Sequence, residues 1–229
     1  MSQCYQHRLA FQGREEREKE LYMYLDEPLQ KYLDELASAQ PTPGGGSAAA
    51  LSGALGAGLA CMVARLTLGK ADYAAVQEEI TALVERTEAL RARFQQLMQE
   101  DIAAYGHLSA TFKLPRATSE EKAARTQAIQ KQLVEAALVP LEVVERAVEL
   151  VQCCLRIATI GNANVLSDIA TGTALASSSA NGAAWMVRTN LRAMKDQERV
   201  QALSKRLSAA LESIAADSQR VIDTVGARV

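Results

Sequence analysis

The segment Pro41-Thr-Pro-Gly-Gly-Gly-Ser47 decides the fold, together with the uncharged stretch Ala48–Ala64 that follows it. A residue before a proline is disfavoured in the helical conformation, so the preceding element must end here. The three glycines lack a Cβ and let the chain turn sharply and approach a neighbour closely. Ser47 stands at the position of an N-cap, directly before strong helix formers. The pattern therefore predicts a central helix that begins at Ala48.

This central helix is predicted to be buried in a soluble protein rather than to span a membrane. A span needs about 20 strongly apolar residues, whereas this run is shorter, rich in Ala, Gly and Ser, and closed by Arg65. Small residues recur at helical spacing, which lets neighbouring helices pack closely. They are Ala49, Gly53, Ala57 and Cys61 in one row and Ser52, Gly56 and Ala60 in another. The first 20 residues show no apolar signal segment.

Composition favours a single domain whose core is built from small aliphatic side chains. The 229 residues are 48% apolar but only 4% aromatic, so alanine, leucine and valine must fill the interior. A net charge of −2 argues against nucleic acid as the main partner. The four cysteines form no CxxC pair and there are only two histidines, which indicates a reducing cytoplasm and no metal site.

Apolar side chains recur at helical spacing through most of the chain. The predicted helices are 22–39, with Pro28 as a kink; 48–68, with Gly69 after its last turn; 71–112, with a possible break; 119–160, kinked at Pro140; 164–191; and 196–225. Residues 1–19 are expected to form a charged N-terminal tail, and residues 20–229 one helical domain. Because no segment alternates like a strand, we expect an all-α helical bundle with long, partly kinked helices.

Asp101 is the first candidate for chemistry. It shares a helix face with Tyr105 and Leu108, and that face is otherwise apolar. A carboxylate on such a face is partly desolvated, which raises its pKa from about 3.9 toward the working range of a general acid or base. The alternative is a solvent-exposed acid beside Glu100, and periodicity alone does not decide between the two.

Further polar side chains mark the ends of the fifth predicted helix. Asn162, Asn164 and Asp168 surround its start, where one Asn would serve as an N-cap. Capping explains neither the second Asn nor Asp168 one turn later. Asn190 lies near the helix end among arginines that either complement the helix C-terminus or meet an anion. The glycine turn also exposes N–H groups that suit an anion, but it lacks the Gly-Lys-Ser/Thr of a Walker loop.

Motifs in a fixed order resemble the formiminotransferase-cyclodeaminase C-terminal domain family, which includes stand-alone methenyltetrahydrofolate cyclohydrolases. The motifs are Pro41-Thr-Pro-Gly-Gly-Gly-Ser-Ala-Ala-Ala-Leu51, Leu66-Thr-Leu-Gly-Lys70, Asp101-Ile-Ala-Ala-Tyr105, Lys113-Leu-Pro115, Pro140, Gly161-Asn-Ala-Asn164 with Ser167-Asp168, and Gly182-Ala183 leading to Asn190. They cover the chain from about residue 20 to its end. The ordered set is far more specific than any one motif.

The resemblance implies an all-helical homodimer that acts on a tetrahydrofolate derivative, with the length of any polyglutamate chain left open. Two reactions at one carbon are consistent with it. The cyclohydrolase reaction opens 5,10-methenyltetrahydrofolate to 10-formyltetrahydrofolate, and the cyclodeaminase reaction closes the ring of 5-formiminotetrahydrofolate with loss of ammonia. Both need a proton shuttle, and neither needs a metal or any cofactor beyond the folate substrate.

By the same resemblance, the family's catalytic Asp falls on Asp101. The residues expected to line the folate pocket are Gly45, Gly46, Ser47, Lys70, Asn162, Asn164, Asp168 and Asn190. Amides suit the edge of a pterin, and Lys or Arg suits the glutamate carboxylates. Two positions depart from the family pattern: Met186 replaces a common Asn, and Arg65 replaces a commonly uncharged residue. If Met186 fills the pocket, the alternative is a non-catalytic helical dimer that binds folate or a partner protein.

Overall fold

The computed structural model describes residues 24–228, in two compact units that divide between Gly44 and Gly45. The described part of the first unit contains one short helix, α1 (Leu29–Leu36). A helix over 22–39 with a kink at Pro28 was expected, and the structure corrects both features. Pro28 is the N-cap of α1, because proline disfavours the helical conformation in the residue before it. The charged tail 1–19 and its boundary lie outside the described residues and stay a prediction.

The second unit consists of five long α-helices joined by short connections. They are α2 (Gly45–Arg65), α3 (Gln77–Phe112), α4 (Ser119–Ile160), α5 (Leu166–Ala193) and α6 (Gln197–Gly226). Two 3₁₀ turns, Ala71–Val76 and Ala163–Val165, precede α3 and α5. Among residues 24–228 every regular element is helical, so the predicted all-α class is confirmed.

The first four of these long helices form a ring in which neighbours run antiparallel. Helix α2 packs against α3 and α5, and α4 closes the ring by packing against both of them. Helix α6 lies against α4 and α5. Short connections between antiparallel neighbours are the usual topology of a helical bundle. The start of α2 and its end therefore lie at opposite ends of the bundle.

Helix α2 packs closely because its small residues face its neighbours. A Cβ added to Gly53 would overlap the Phe94 ring of α3, and one added to Gly56 would lie 2.7 Å from the Gly172 carbonyl oxygen of α5. Within the described residues this helix alone is long and apolar enough to cross a membrane, by length and composition only. Most of it is buried in the bundle, as in the core helix of a soluble protein.

The boundaries of α2 differ from those expected. The helix begins at Gly45, so Ser47 is its third residue and is buried rather than the N-cap. It ends at Arg65 in a turn that leads to Gly69, whose φ of +70° is the left-handed conformation that favours glycine. The prediction that Gly69 follows the last turn is confirmed, although α2 ends at Arg65, three residues before the predicted end at residue 68.

The other predicted helices are confirmed with small shifts at their ends. The expected break before α3 is the 3₁₀ turn, where Tyr73 has a non-helical backbone. Thr118 and Glu121 form a reciprocal capping box at the start of α4, which stabilises the first turn. Pro140 lies inside α4, which runs through it as one helix. Asp196 caps α6 by accepting from the Arg199 N–H at 3.0 Å.

Helices α3 and α4 are also joined by ion pairs at a seven-residue repeat. Residues seven apart lie on one stripe of a helix, so equally spaced partners on an antiparallel helix meet in turn. The pairs are Glu79–Arg156, Arg86–Glu149 and Arg93–Glu142, and Arg93 also binds Glu100. We call this set the ion ladder. It ends next to Asp101 and helps to fix the register of α3 there.

Candidate active site

Asp101 of α3 lies against the first turn of α2. A Cβ added to Gly46 would sit 2.6 Å from Oδ2 of Asp101 and closer still to its Cγ, which is an overlap. The backbone N–H of Ser47 donates a hydrogen bond to the same carboxylate. Because first-turn N–H groups have no partner inside their own helix, Asp101 caps α2 from a neighbouring helix. Glycine is required at position 46 because the carboxylate occupies the space of a side chain.

The protein environment makes Asp101 an unusual carboxyl group. Burial raises its pKa to about 6, and the hydrogen bond from the Ser47 N–H opposes part of this rise. A carboxyl group with a pKa near 6 gains and loses a proton readily close to neutral pH, which is the property of a general acid or base. The expected desolvation is confirmed, and the alternative of a solvent-exposed acid is excluded.

The rest of the face that was expected around Asp101 is only partly buried. Leu108 is buried, whereas Tyr105 is 43% exposed. The carboxyl group therefore lies where a buried stretch of α3 gives way to an accessible one. Asp101 itself has intermediate exposure to solvent.

Met186 of α5 borders the site without occupying the position of the carboxylate. A Cβ added to Gly45 would lie 3.5 Å from Cε and 3.6 Å from Sδ of Met186, which is ordinary van der Waals contact. One turn earlier on α5, a Cβ added to Gly182 would lie 3.4 Å from the Cβ of Ala49. Helix α5 thus approaches the start of α2 through small residues, with Met186 as the larger group at the edge.

Asn190 lies one turn beyond Met186 and has a partner on α4. Its Nδ2 donates to the carbonyl oxygen of Ala136 at 2.6 Å. In a regular helix this carbonyl would accept from the N–H of residue 140, but proline has none. The Asn190 amide therefore fills a hydrogen-bonding gap in α4, a role that no local sequence motif predicts.

The second group of predicted site residues lies at the end of α2. The buried Asn162 donates from Nδ2 to the Leu66 carbonyl at 3.2 Å and from its backbone N–H to Thr67 Oγ1 at 3.0 Å. Its Oδ1 accepts from the Asn164 N–H at 3.2 Å, so it also caps the 3₁₀ turn before α5. Asn162 thereby joins three segments of the chain.

Three more predicted site residues surround this end. Lys70 is exposed just before the first 3₁₀ turn, Asn164 is exposed within the second, and Asp168 is half-buried in the first turn of α5. The capping interpretation is therefore correct for Asn162, whose side chain caps the 3₁₀ turn, whereas the N-cap of α5 itself is Val165. These three polar groups remain accessible for a ligand.

The predicted site residues therefore fall into two groups in one chain. Gly45, Gly46, Ser47, Asp101 and Asn190 lie at the start of α2, which we call the aspartate end. Lys70, Asn162, Asn164 and Asp168 lie at its other end, which we call the asparagine end. The twenty residues from Gly46 to Leu66 place these ends about 30 Å apart at 1.5 Å per residue. One chain does not bring them together.

Several residues that organise the asparagine end have no motif that reveals them. The Tyr73 hydroxyl accepts from the Ala163 N–H at 3.0 Å, and Gln77 bonds to the N–H of Gly69 and to the carbonyl of Thr67. Arg228 donates to the Gly161 carbonyl oxygen and so covers the end of α4. These contacts join residues far apart in sequence, which explains why local patterns miss them.

Residues 24–228 contain no group of three or more His, Cys, Asp or Glu side chains placed to hold a metal ion. The expectation that neither a metal nor a further cofactor takes part stays a prediction. What the structure places at the aspartate end is one desolvated carboxyl group beside a helix N-terminus.

Comparisons by family model, by sequence and by structure all indicate the same family. The family model described as formiminotransferase-cyclodeaminase matches residues 28–209. The chain is 36% identical to methenyltetrahydrofolate cyclohydrolase of Methylorubrum extorquens over 89% of its length and 98% of that protein. It is 31% identical to formimidoyltransferase-cyclodeaminase of Rattus norvegicus, again over 89% of its length but only 38% of that protein.

A solved structure supports the assignment at the level of the fold. Formiminotetrahydrofolate cyclodeaminase from Thermotoga maritima superposes with a TM-score of 0.80 and 27% identity, covering 88% of this chain and 97% of that one. The ordered motifs and the all-helical bundle agree with these matches. The chain belongs to the formiminotransferase-cyclodeaminase family.

Proposed function

We propose that this protein is a folate one-carbon enzyme that opens 5,10-methenyltetrahydrofolate to 10-formyltetrahydrofolate. The observation that carries the proposal is the Asp101 carboxyl group, held at the start of α2 with a pKa of about 6. The similarity to a cyclohydrolase whose whole length the chain spans supports the choice of reaction. A reducing compartment, the cytoplasm, suits the free and buried thiols of Cys61, Cys153 and Cys154.

In the proposed reaction Asp101 carries one proton between two steps. Its ionised form accepts a proton from water as the water oxygen bonds to the methenyl carbon. The resulting tetrahedral intermediate then forms the formyl C=O bond and breaks the bond from carbon to N5, which takes the proton back from Asp101. The hydroxyl proton passes to solvent, so charge and atoms balance. A pKa near the working pH favours both transfers.

Cyclodeaminase activity is the second candidate, because the similar Thermotoga protein of almost the same length is described as a formiminotetrahydrofolate cyclodeaminase. Here N10 attacks the carbon of the protonated formimino group, whose nitrogen becomes an amino group, and Asp101 accepts the N10 proton. Protonated Asp101 then donates to the amino group, which leaves as ammonia. The same residue in the same place serves either reaction, and the geometry of one carboxyl group does not rank them.

The homodimer is part of this proposal, and a row of exposed apolar side chains on α2 supports it. Leu55, 55% exposed, is followed by Met62 and Leu66 at spacings of seven and four, which place them on one helix face. Trp185 of α5 is 63% exposed. Exposed apolar rows of this kind mark protein interfaces. A second copy bound along α2 in the antiparallel direction would bring its asparagine end to the aspartate end of the first.

This arrangement would complete the site from the residues that one chain keeps apart. Asp101 and the glycine turn would act on the one-carbon unit, while Lys70, Asn164 and Asp168 of the second copy would bind the remainder of the folate. Lys70 suits the glutamate carboxylates, whatever their number, because an ammonium group pairs with them directly. Both groups of predicted residues then contribute to one pocket.

The test is the loss of the methenyl chromophore of 5,10-methenyltetrahydrofolate above its spontaneous rate. Asp101→Asn keeps an oxygen that accepts from the Ser47 N–H but carries no proton, so we expect turnover to fall by roughly 10²–10⁴-fold with the fold intact. Glu100→Gln is the matched control, because it removes the neighbouring carboxylate on a different face of α3. We expect this variant to stay active. Turnover of 5-formiminotetrahydrofolate instead would select the second reaction.

A non-catalytic folate-binding or partner-binding dimer is the outcome if neither substrate is turned over. Binding would then be measured directly by quenching of the Trp185 fluorescence with each folate. Met186 is the residue to replace first in that case, with Asn, because it borders Gly45. If the wild-type protein and Met186→Asn both bind folate and neither turns it over, a binding function replaces the enzymatic proposal.

A further inference from the structure

Pro140 leaves a gap in the hydrogen bonding of α4. The carbonyl of Ala136 lies four residues earlier and would accept from the N–H that proline lacks. Ala136 and Pro140 are both buried, so water does not readily take the place of the missing donor. A buried carbonyl group without a donor is unfavourable, and the chain must supply one from elsewhere.

The donor is Asn190 of α5, whose Nδ2 lies 2.6 Å from the Ala136 carbonyl oxygen. The bond joins α5 to α4 one helical turn beyond Met186, which packs against Gly45. The next residue, Gly46, lies beneath the Asp101 carboxylate. A short series of contacts thus connects the proline gap in α4 with the first turn of α2.

We infer that Asn190 is a positioning residue, which holds the end of α5 by completing α4 at Pro140 instead of binding the substrate through its amide N–H. This inference rests on the proposed function of the site. One N–H of the Asn190 amide is already committed to a buried acceptor, and turning the amide toward a ligand would break this bond and expose the gap again. By fixing α5 at this level, Asn190 keeps Met186 against Gly45 and preserves the shape of the site beside Asp101.

The inference predicts that removal of Pro140 compensates for loss of Asn190. In Asn190→Ala the Ala136 carbonyl has no donor, so we expect Tm to fall by roughly 3–8 °C and KM for the folate to rise. In the double variant Pro140→Ala/Asn190→Ala, the new backbone N–H of residue 140 supplies the donor. We expect it to recover more than half of the lost Tm and most of the lost affinity.

Asn181→Ala is the matched control on the same helix. The Asn181 amide donates at 2.9 Å to the Ser177 carbonyl, which lies one turn earlier in α5 and already takes part in its helix. The side chain is exposed, so its removal leaves no buried group without a partner. We expect neither Tm nor KM to change, and Pro140→Ala alone should stay active.

Each outcome decides the question. Recovery of both Tm and KM in the double variant supports a positioning role. Recovery of Tm while KM stays high shows that the Asn190 side chain contacts the substrate, and overturns it, as does an unchanged Tm in Asn190→Ala. If Asn190→Ala fails to fold, the double variant must fold, or the inference is wrong. If the wild-type protein is inactive on both folates, the proposed function is contradicted instead. The Tm values of wild type, the two single variants and the double variant then test the link between Asn190 and Pro140 without the activity assay.

Discussion

At the scale of single residues, Asp101 has two roles, one structural and one chemical. As a carboxylate it accepts from the Ser47 N–H and caps α2, and as a buried acid it gains and loses its proton near pH 6. Burial disfavours the charged form while the cap favours it, and burial has the larger effect. The residue is therefore kept where ionisation is costly, which is unusual for a group whose only purpose is capping.

This balance predicts how stability depends on pH. The pKa of Asp101 is higher in the folded than in the unfolded protein, so the folded state binds more protons between about pH 4 and 6. Stability from this group is therefore highest in acid and is lost as pH rises through about 6. We therefore expect the Tm of Asp101→Asn minus the Tm of wild type to increase as the pH is raised from 4.5 to 7.5. A constant difference across that range would contradict the raised pKa.

Gly46 should tolerate no side chain, because Asp101 occupies the space for it. In Gly46→Ala the new Cβ must displace the carboxylate from the Ser47 N–H, so we expect a loss of roughly 1–3 kcal/mol of stability and of most turnover. Gly58→Ala is the control in the same helix, where a Cβ would meet only the Cδ of Arg91 at 4.0 Å. Urea unfolding and the chromophore assay should show Gly58→Ala neutral or stabilised. Equal effects at both positions would argue against the overlap.

At the scale of helices, much of the fold follows from local patterns. Apolar spacing located each long helix, and Gly69 and Asp196 marked ends that the structure confirms. The errors came where a distant residue decides the outcome. Ser47 was expected to cap α2 with its own side chain, but a carboxylate 54 positions later takes that place. No local pattern contains this information.

The ion ladder makes a prediction at the same scale. Arg93 binds both Glu142 and Glu100 and is only about one-third exposed, whereas Arg156 binds Glu79 at a more exposed position. Exposed pairs contribute little, so we expect Arg93→Met to lose about 1 kcal/mol and Arg156→Met to lose less than Arg93→Met. Urea unfolding at low and high salt measures both. A larger loss in Arg156→Met would show that the ladder is not centred on Arg93.

At the scale of the whole molecule, the sequence revealed the candidate residues but not their arrangement. Motif order placed Asp101 and Asn164 in one expected pocket, yet antiparallel packing puts them at opposite ends of α2. Sequence order carries no information about which end of a bundle a motif reaches until the packing is known. The second copy is the simplest way to reunite the two groups.

A site shared between two copies predicts recovery of activity on mixing. Asp101→Asn and Lys70→Ala would each be inactive as homodimers, but a mixed dimer has one site without either substitution. After unfolding and refolding of an equal mixture, we expect about a quarter of wild-type turnover from random pairing in a two-fold dimer. A mixture of Asp101→Asn with Gly46→Ala, both at the aspartate end, is the control and should not recover, because each site of the mixed dimer then carries one of the two substitutions. A chain that carries both Asp101→Asn and Lys70→Ala should also stay inactive after refolding. If the mixture of Asp101→Asn with Lys70→Ala recovers no activity, the whole site lies in one chain.

The pH dependence of kcat/KM for opening of 5,10-methenyltetrahydrofolate tests the central claim, that Asp101 carries the proton. If its ionised form is the base, kcat/KM rises about tenfold per pH unit below pH 6 and levels off above it. The residual rate of Asp101→Asn should lack this limb. A wild-type profile without an ionisation near pH 6, or an unchanged limb in Asp101→Asn, would contradict the claim.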